Sequence, residues 1–285
     1  MIIVEIVGGL GSQMFAYAVG LAFAKKTNQE LKVDISHLTA WRLKKPWSRN
    51  PEILKMNLSG GVATKDDIRK FLFKTSISYV DGFIKRKRWT GKNVYYENRD
   101  FDFENMPSIR EGYLRGSFGN PKYFVGLKDV LKKEFVLKKK GLAVSNFLRD
   151  VKYSESVSIH VRRGDLLVLE NAHVVPIEYY KEAVKKIKAK VKNLKFYIFS
   201  DGIEWCKNNF DWLENKVFVE GCSIAEDFEI MKNCKHHILA NSTLSWWVGY
   251  LHEGNGLVIC PNHFGTFENS KRKDLMLKKW VILDG

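Results

Sequence analysis

Five short apolar runs recur through the second half of the chain, at residues 157–161, 196–199, 217–219, 237–239 and 257–259. A helix-length stretch separates each from the next, at 176–191, 203–210, 225–233 and 242–251. Strands joined through helices must run parallel, because parallel neighbours need a long crossover where antiparallel ones need only a tight turn. Such crossovers are right-handed, and the ligands of such sheets bind outside the carboxyl ends of the strands. The N-terminus opens the same way. Residues 1–7 read as a buried strand, Gly8-Gly9-Leu10-Gly11-Ser12 turns the chain, Ser12 is placed to cap a helix running to about Lys26, and 31–35 is a second strand. The fold class is therefore α/β. With 285 residues the chain has room for two domains, set at 1–150 and 151–285, with Lys138-Lys139-Lys140-Gly141 as a candidate joint. A helix is expected over 121–135, whereas 39–113 shows no clear pattern.

Composition removes several classes. At 45% hydrophobic and 28% charged residues the chain is neither disordered nor fibrous. The longest apolar run, Met14 to Ala24, is about half of the ~20 residues that span a bilayer, and no basic segment precedes the apolar start. Cys206, Cys222, Cys234 and Cys260 lack C-x-x-C spacing, which argues against a zinc ribbon. A cytoplasmic protein is expected. The net charge of +15 is uneven: residues 1–150 carry +13 and residues 151–285 carry +2. Such an excess attracts phosphate-rich partners, whether nucleic acid, anionic lipid or a phosphorylated substrate.

Four motifs each follow a strand. Gly8-Gly9-Leu10-Gly11-Ser12-Gln13 would let a backbone approach an anion at a helix N-terminus, but Met14 stands where a dinucleotide fingerprint needs its third glycine, and a plain tight turn reads equally well. In His160-Val161-Arg162-Arg163-Gly164-Asp165 a histidine and two arginines at a strand end suit a diphosphate, with Asp165 as guanidinium partner or base; a surface ion cluster is the alternative. In Phe199-Ser200-Asp201-Gly202 the carboxylate can accept from guanine or ribose, or simply cap the next helix. Asn241-Ser242-Thr243-Leu244-Ser245-Trp246-Trp247 offers hydroxyls and free amides to a phosphate, or else caps a helix whose tryptophans belong to the core. Two further features weigh less. Asp100-Phe101-Asp102 has the D-x-D pattern of metal-dependent sugar transfer but follows no clear strand, and Lys85-Arg86-Lys87-Arg88-Trp89 is a basic loop or lipid-facing patch with no nucleic-acid-binding signature beside it.

Taken together the motifs resemble those of the family 11 glycosyltransferases, the α-1,2-fucosyltransferases, nearly end to end. Residues 8–15 resemble G-G-L-G-N-Q-M-F, residues 160–165 match H-x-R-R-G-D, residues 199–202 resemble F-S-D-D, and residues 241–247 match N-S-[ST]-x-S-W-W. The resemblance implies a GT-B fold, two Rossmann-like domains with parallel sheets facing a cleft. It also implies inverting, metal-independent transfer of L-fucose from GDP-fucose to the 2-hydroxyl of a galactoside. Carried over by position, Arg162 binds the β-phosphate and supports the departing GDP, with Arg163 in the same motif and Asp165 a candidate base. His160 falls where the nucleotide is contacted, Asp201 is the partner of the base, and Ser242, Thr243 and Ser245 form the phosphate cradle, while Gly9, Gly11 and Ser12 belong to the first motif. Three departures stand out: Ser12 replaces asparagine, Gly202 replaces the second aspartate, and Gly116-Ser117-Phe118-Gly119 replaces G-Y-[FW]-Q. The implied acceptor is a galactose-terminated glycan, free or lipid-linked, which would bring the enzyme to an anionic membrane face; no nucleic acid is expected. The readings weighed against this one are a GT-B transferase for another nucleotide-sugar, a metal-dependent transferase, and a non-enzymatic polyanion- or membrane-binding module.

Overall fold

A computed structural model describes residues 1–40, 49–72, 93–98, 100, 102–265 and 272–285. The Lys85–Trp89 cluster, Phe101 and the side chain of Asp165 lie outside the described residues. The chain forms two compact α/β units, Met1–Phe135 and Val136–Gly285.

The first unit is built on a five-stranded parallel sheet of β1 (Ile2–Glu5), β2 (Leu31–Asp34), β3 (Gly61–Val62), β4 (Val94–Tyr96) and β5 (Gly112–Arg115), in the order β3-β2-β1-β5-β4. Helix α1 (Leu10–Thr27) follows β1 and is buried around most of its circumference. It starts three residues earlier than the sequence indicates. Its N-cap is Gly9, with extended backbone, so Ser12 lies inside the first turn and caps nothing. Gly8 takes the left-handed conformation (φ 74°) that makes the turn possible. At Gly20 the helix meets the sheet so closely that a Cβ would come within 2.8 Å of Val4. Asn28, left-handed at φ 53°, ends the helix, and Lys25 and Lys26 complement its carbonyl end. Short helices α2 (Ser36–Ala40), α3 (Lys65–Arg69) and α4 (Lys128–Glu134) complete the unit. The single helix expected at 121–135 is split into a 3₁₀ turn, Pro121–Phe124, and α4, because Gly126 turns the chain at φ 84°.

The second unit opens with α5 (Leu142–Tyr153), which the expected boundary at 150 cuts through. It packs instead beside its own sheet: Ser156 Oγ donates to the Val151 carbonyl at 2.8 Å, and Lys195 pairs with Asp150. Six parallel strands follow: β6 (Glu155–Val161), β7 (Leu194–Ser200), β8 (Lys216–Phe218), β9 (His236–Ile238), β10 (Val258–Pro261) and β11 (Val281–Leu283). Their crossovers are α6 (Ile177–Lys188), α7 (Ile203–Asn209), α8 (Ile224–Lys232) and α9 (Thr243–Leu251). The strand order is β11-β10-β9-β6-β7-β8, the Rossmann order. It reverses between β6 and β9, and that is where ligands of open α/β sheets bind.

β6 fixes this unit. Six of its seven residues are buried. Val157, Ile159 and Val161 join the core with Tyr179, Tyr180, Ile198 and Phe210. The opposite face is polar, and each group on it finds an internal partner: Ser156 on α5, Ser158 on His237 Nδ1 at 2.8 Å, and His160 Nδ1 on Ser245 Oγ at 2.5 Å. His237 Nε2 lies 3.0 Å from His252 Nδ1. Among the described residues no helix is long and apolar enough to cross a membrane.

Burial holds the His160 imidazole down at about 4, with Arg162 adding to the effect and Asp201 opposing it, and it holds His237 well below its usual range. Both histidines titrate near 6.5 in the unfolded chain, so between the folded and unfolded values only the unfolded chain takes up the protons. The contribution to stability is complete above pH 6.5 and falls as the pH drops toward 4, by about 1.4 kcal/mol per pH unit for each histidine. Urea unfolding at pH 7.5 and 5.5 should show a larger loss on acidification for the wild type than for a His237→Asn variant, and equal losses would contradict it.

Candidate active site

Three chain segments meet at the carboxyl edge of the second sheet: the turn after β6, the loop after β7, and the start of α9 after β9. Arg162 leaves β6 and is half-buried, with its Nη1 paired to Asp201 Oδ2. Asp201, at the end of β7, also accepts the amides of Arg163 (2.7 Å) and Gly164 (3.0 Å) on Oδ1. Both carboxylate oxygens thus serve the turn after β6. The residue does not cap α7, whose N-cap is Gly202 without any side-chain bond. Gly164 has to be glycine, because a Cβ there would lie 2.8 Å from Asp201 Cγ.

Arg163 turns away from Arg162 and lays its guanidinium 3.8 Å above the Trp205 ring, a cation–π contact. Its Nε is buried with no hydrogen-bond partner. Asp165 shares the 3₁₀ turn Gly164–Val168, which brings its backbone to the same edge.

At the start of α9, Ser242 is the N-cap, accepting the Leu244 amide at 3.2 Å. Thr243 is exposed beside it. Ser245 is fully buried; its hydroxyl meets His160 and accepts the Ala240 amide at 3.0 Å. The phosphate cradle of the sequence reading therefore divides. Ser242 and Thr243 lie at the open end of the helix, whereas Ser245 and His160 brace it from beneath. Trp246 and Trp247 are core residues, the former donating to the Leu275 carbonyl at 2.7 Å. Asn241 ties the loop to its neighbours, donating to the carbonyls of His173 (2.8 Å) and Gly265 (3.2 Å), and His173 stacks on buried His263 at 4.1 Å.

One carboxyl group at this edge escaped the sequence reading. Asp227 lies in the first turn of α8, behind the Ser223–Glu226 capping box, and α8 packs on α9. Its Oδ1 is buried without a hydrogen-bond partner, and burial, with Glu226 beside it, pushes the carboxyl up to about 7. Acidic residues in a first helical turn are common for the sake of the dipole alone, so nothing in the sequence singles this one out. Trp205, His173 and His263 carried no signal either.

In the first unit, Gly9 opens α1 with empty space where a Cβ would stand, whereas Gly11 is buried inside the helix. Ligand approach is therefore possible at Gly9 and not at Gly11. Gln13, quoted in the motif without a role, is the fastener of this turn. Its amide donates to the carbonyls of Gly8 (2.9 Å) and Asn50 (2.8 Å) and accepts the Ile53 amide at 3.1 Å. Beyond β5, Glu97 receives the Phe118 amide at 2.6 Å and closes the segment that departs from the family pattern. Asp100 and Asp102 close local turns by accepting the amides of Tyr96, and of Glu104 and Asn105, respectively.

Comparison with known proteins agrees with this architecture. Along its whole length the chain is 28% identical to an α-1,2-colitosyltransferase of Escherichia coli, covering 100% of this chain and 99% of that one. It is 26% identical to the O-antigen biosynthesis glycosyltransferase WbnK of Escherichia coli, over 97% and 98% of the two chains. A bovine galactoside α-(1,2)-fucosyltransferase 1 matches at 28% over 57% of this chain and 50% of its own. Among solved structures, the α-1,6-fucosyltransferase NodZ soaked with GDP-fucose superposes with a TM-score of 0.53 at 14% identity, over 88% of this chain and 92% of that one. POFUT1 in complex with GDP gives 0.53 at 13%, over 93% and 98%. At such identities the likeness is one of fold, the two Rossmann-like units of the GT-B class. The model of glycosyl transferase family 11 matches residues 84–284, well over half of the sequence, and the chain belongs to that family.

Proposed function

We propose that the protein transfers L-fucose, or a close deoxy relative of it, from the GDP-activated sugar to the 2-hydroxyl of a galactoside in a surface glycan. The observation that carries this reading is Arg162, held at the strand-order reversal beside the open N-terminus of α9. In such a transfer the acceptor oxygen attacks the anomeric carbon from the face opposite the diphosphate, and the sugar–phosphate bond breaks with inversion. Negative charge grows on the departing diphosphate. Arg162, the Thr243 hydroxyl and the free amides of α9 meet it, and a fixed cation is worth most where charge develops. Asp165, in the same turn, is the candidate for taking the hydroxyl proton. Positive charge from the protein does the work of a metal ion in this scheme, and Asp100 and Asp102 have no part in it.

Within this reading the base is recognised by Asp227 rather than Asp201. Guanine presents two adjacent N–H donors, which an ionised carboxylate accepts together. Asp201 is already engaged with Arg162 and two amides, whereas Asp227 holds a buried oxygen with no partner.

The full-length match to a colitosyltransferase favours a second donor. Colitose is fucose without its 3-hydroxyl, so the same diphosphate machinery serves both sugars.

GDP release, measured over a panel of GDP-, UDP- and ADP-sugars with a galactoside acceptor, tests the assignment. Turnover should require a GDP-linked 6-deoxy sugar and persist in EDTA. Arg162→Ala should lower it by about 10²–10³, and Arg162→Lys should not restore it, because lysine lacks the planar fork. Near wild-type kcat in Arg162→Ala, or a chelated enzyme revived only by Mn²⁺, would overturn the scheme.

The Asp227 assignment has a pH signature. GDP binds the ionised carboxylate, and the free protein protonates it near 7. Affinity should therefore be full above pH 8 and fall by up to about tenfold per unit below pH 7. Calorimetric titration of GDP should show this slope in the wild type and not in Asp227→Asn.

A further inference from the structure

Two oxygens of one carboxylate do different things at this site. Asp201 Oδ1 accepts two consecutive backbone amides, Arg163 N at 2.7 Å and Gly164 N at 3.0 Å, which fixes the path of the chain as it leaves β6. Asp201 Oδ2 faces the Arg162 guanidinium. The surroundings are built to allow this. Gly164 leaves the carboxylate room that a Cβ would take, the Gly202 amide bonds Ser200 Oγ at 2.9 Å and shapes the loop, and Arg163 is drawn aside onto Trp205. Side chains of both Arg162 and Asp201 are about a quarter exposed, so the pair stands at the edge where a ligand arrives.

We propose that Asp201 is a positioning residue of the transfer reaction: its Oδ1 holds the Arg162–Gly164 turn, and its Oδ2 holds the Arg162 guanidinium in line until the diphosphate of the donor takes that charge over. The inference rests on the assignment of Arg162 to the diphosphate. Each contact on a long, flexible arginine narrows the rotamers it samples, and ordering it costs entropy at each binding event. An aspartate beside it removes that freedom before the donor arrives. The same carboxylate competes with the diphosphate for Arg162, so it improves the geometry of the transition state without tightening the ground state.

The two roles separate by substitution. The Asp201→Asn variant keeps an Oδ1 for both amides but turns an NH₂ group toward the guanidinium, donor against donor. The Asp201→Ala variant loses both contacts. Asp201→Asn should melt with the wild type, bind GDP as tightly or more tightly, and lose about 10–100-fold in kcat with little change in donor KM. Asp201→Ala should lose thermal stability as well. In an Arg162→Ala background Asp201→Asn should have no further effect on kcat, because its action passes through Arg162. Wild-type kcat in Asp201→Asn would overturn the proposal, as would an equal loss in the Arg162→Ala background. So would a fall in guanosine affinity in Asp201→Asn, since that outcome would make the residue a reader of the base. If Arg162→Ala itself keeps both kcat and GDP affinity, the diphosphate assignment has failed instead, and the two failures are told apart.

Discussion

A strand buried on both faces has no water to fall back on, so every polar group it carries must find a partner inside the protein. β6 is such a strand, and the second unit is arranged around it. Its polar face ties it to α5 through Ser156, to β9 through Ser158 and His237, and to α9 through His160 and Ser245. The last of these contacts lies beneath the edge to which the proposed function assigns the diphosphate. It fixes the start of α9 relative to the end of β6, and so sets the distance between the arginine turn and the helix N-terminus. Breaking it would leave the buried His160 Nδ1 unsatisfied, at a cost of about 1–3 kcal/mol, and the Ser245 hydroxyl with only the Ala240 amide. The loops at this edge therefore stand on a scaffold that resists adjustment.

The first unit solves the same problem with different residues. The turn after β1 is held by the Gln13 amide, whose contacts reach Gly8, Asn50 and Ile53. At the carboxyl ends of β1 and β5, Glu5 takes Arg115 in a two-pronged pair at 2.6 and 2.9 Å, and Tyr113 donates to buried Asp34 at 2.6 Å. Behind α1 the carboxylate of Glu134 gathers the hydroxyls of Tyr17 and Ser59. In each unit the carboxyl ends of strands are fixed by side-chain bonds to segments remote in sequence.

That remoteness explains which features could be read from the sequence. The βα alternation of the second half is a local signal, and its four helices and first five strands stand within a few residues of their expected places. The strands of the first unit after β2 are two to four residues long, too short for a period of two to show, and β11 is equally brief. Ser12 looked like a helix cap because hydroxyls favour that position; the glycines before it let the helix begin sooner. Arg162 was legible because it lies in a dense local motif. The partners that decide what each group can do were not, because Asp201 meets the turn after β6 from 38 residues away and Ser245 meets His160 from 85.

The places where this chain departs from its family pattern are consistent with that division. Ser12 sits in the first turn of α1 beside Gly8, and Ser117 is exposed just past β5. Gly202 would place a Cβ 3.4 Å from that of Arg163, an ordinary contact, so the loss of the second aspartate there follows no steric demand. Gly202 adjoins Asp201 in the chain but adds no side chain to its pair with Arg162, and Ser12 and Ser117 belong to the first unit. Ser12 and Ser117 follow β1 and β5, and Gly202 follows β7, so all three lie at the carboxyl edges of their own sheets. Discriminating a sugar from its deoxy analogue depends on whether a buried polar group is left unpaired, and a site built around that group can separate the two by orders of magnitude. A site that never engages the hydroxyl cannot. Under the proposed function, selectivity among fucose-like donors and galactose-like acceptors would then be adjustable at these positions without rebuilding the Arg162–Asp201 pair.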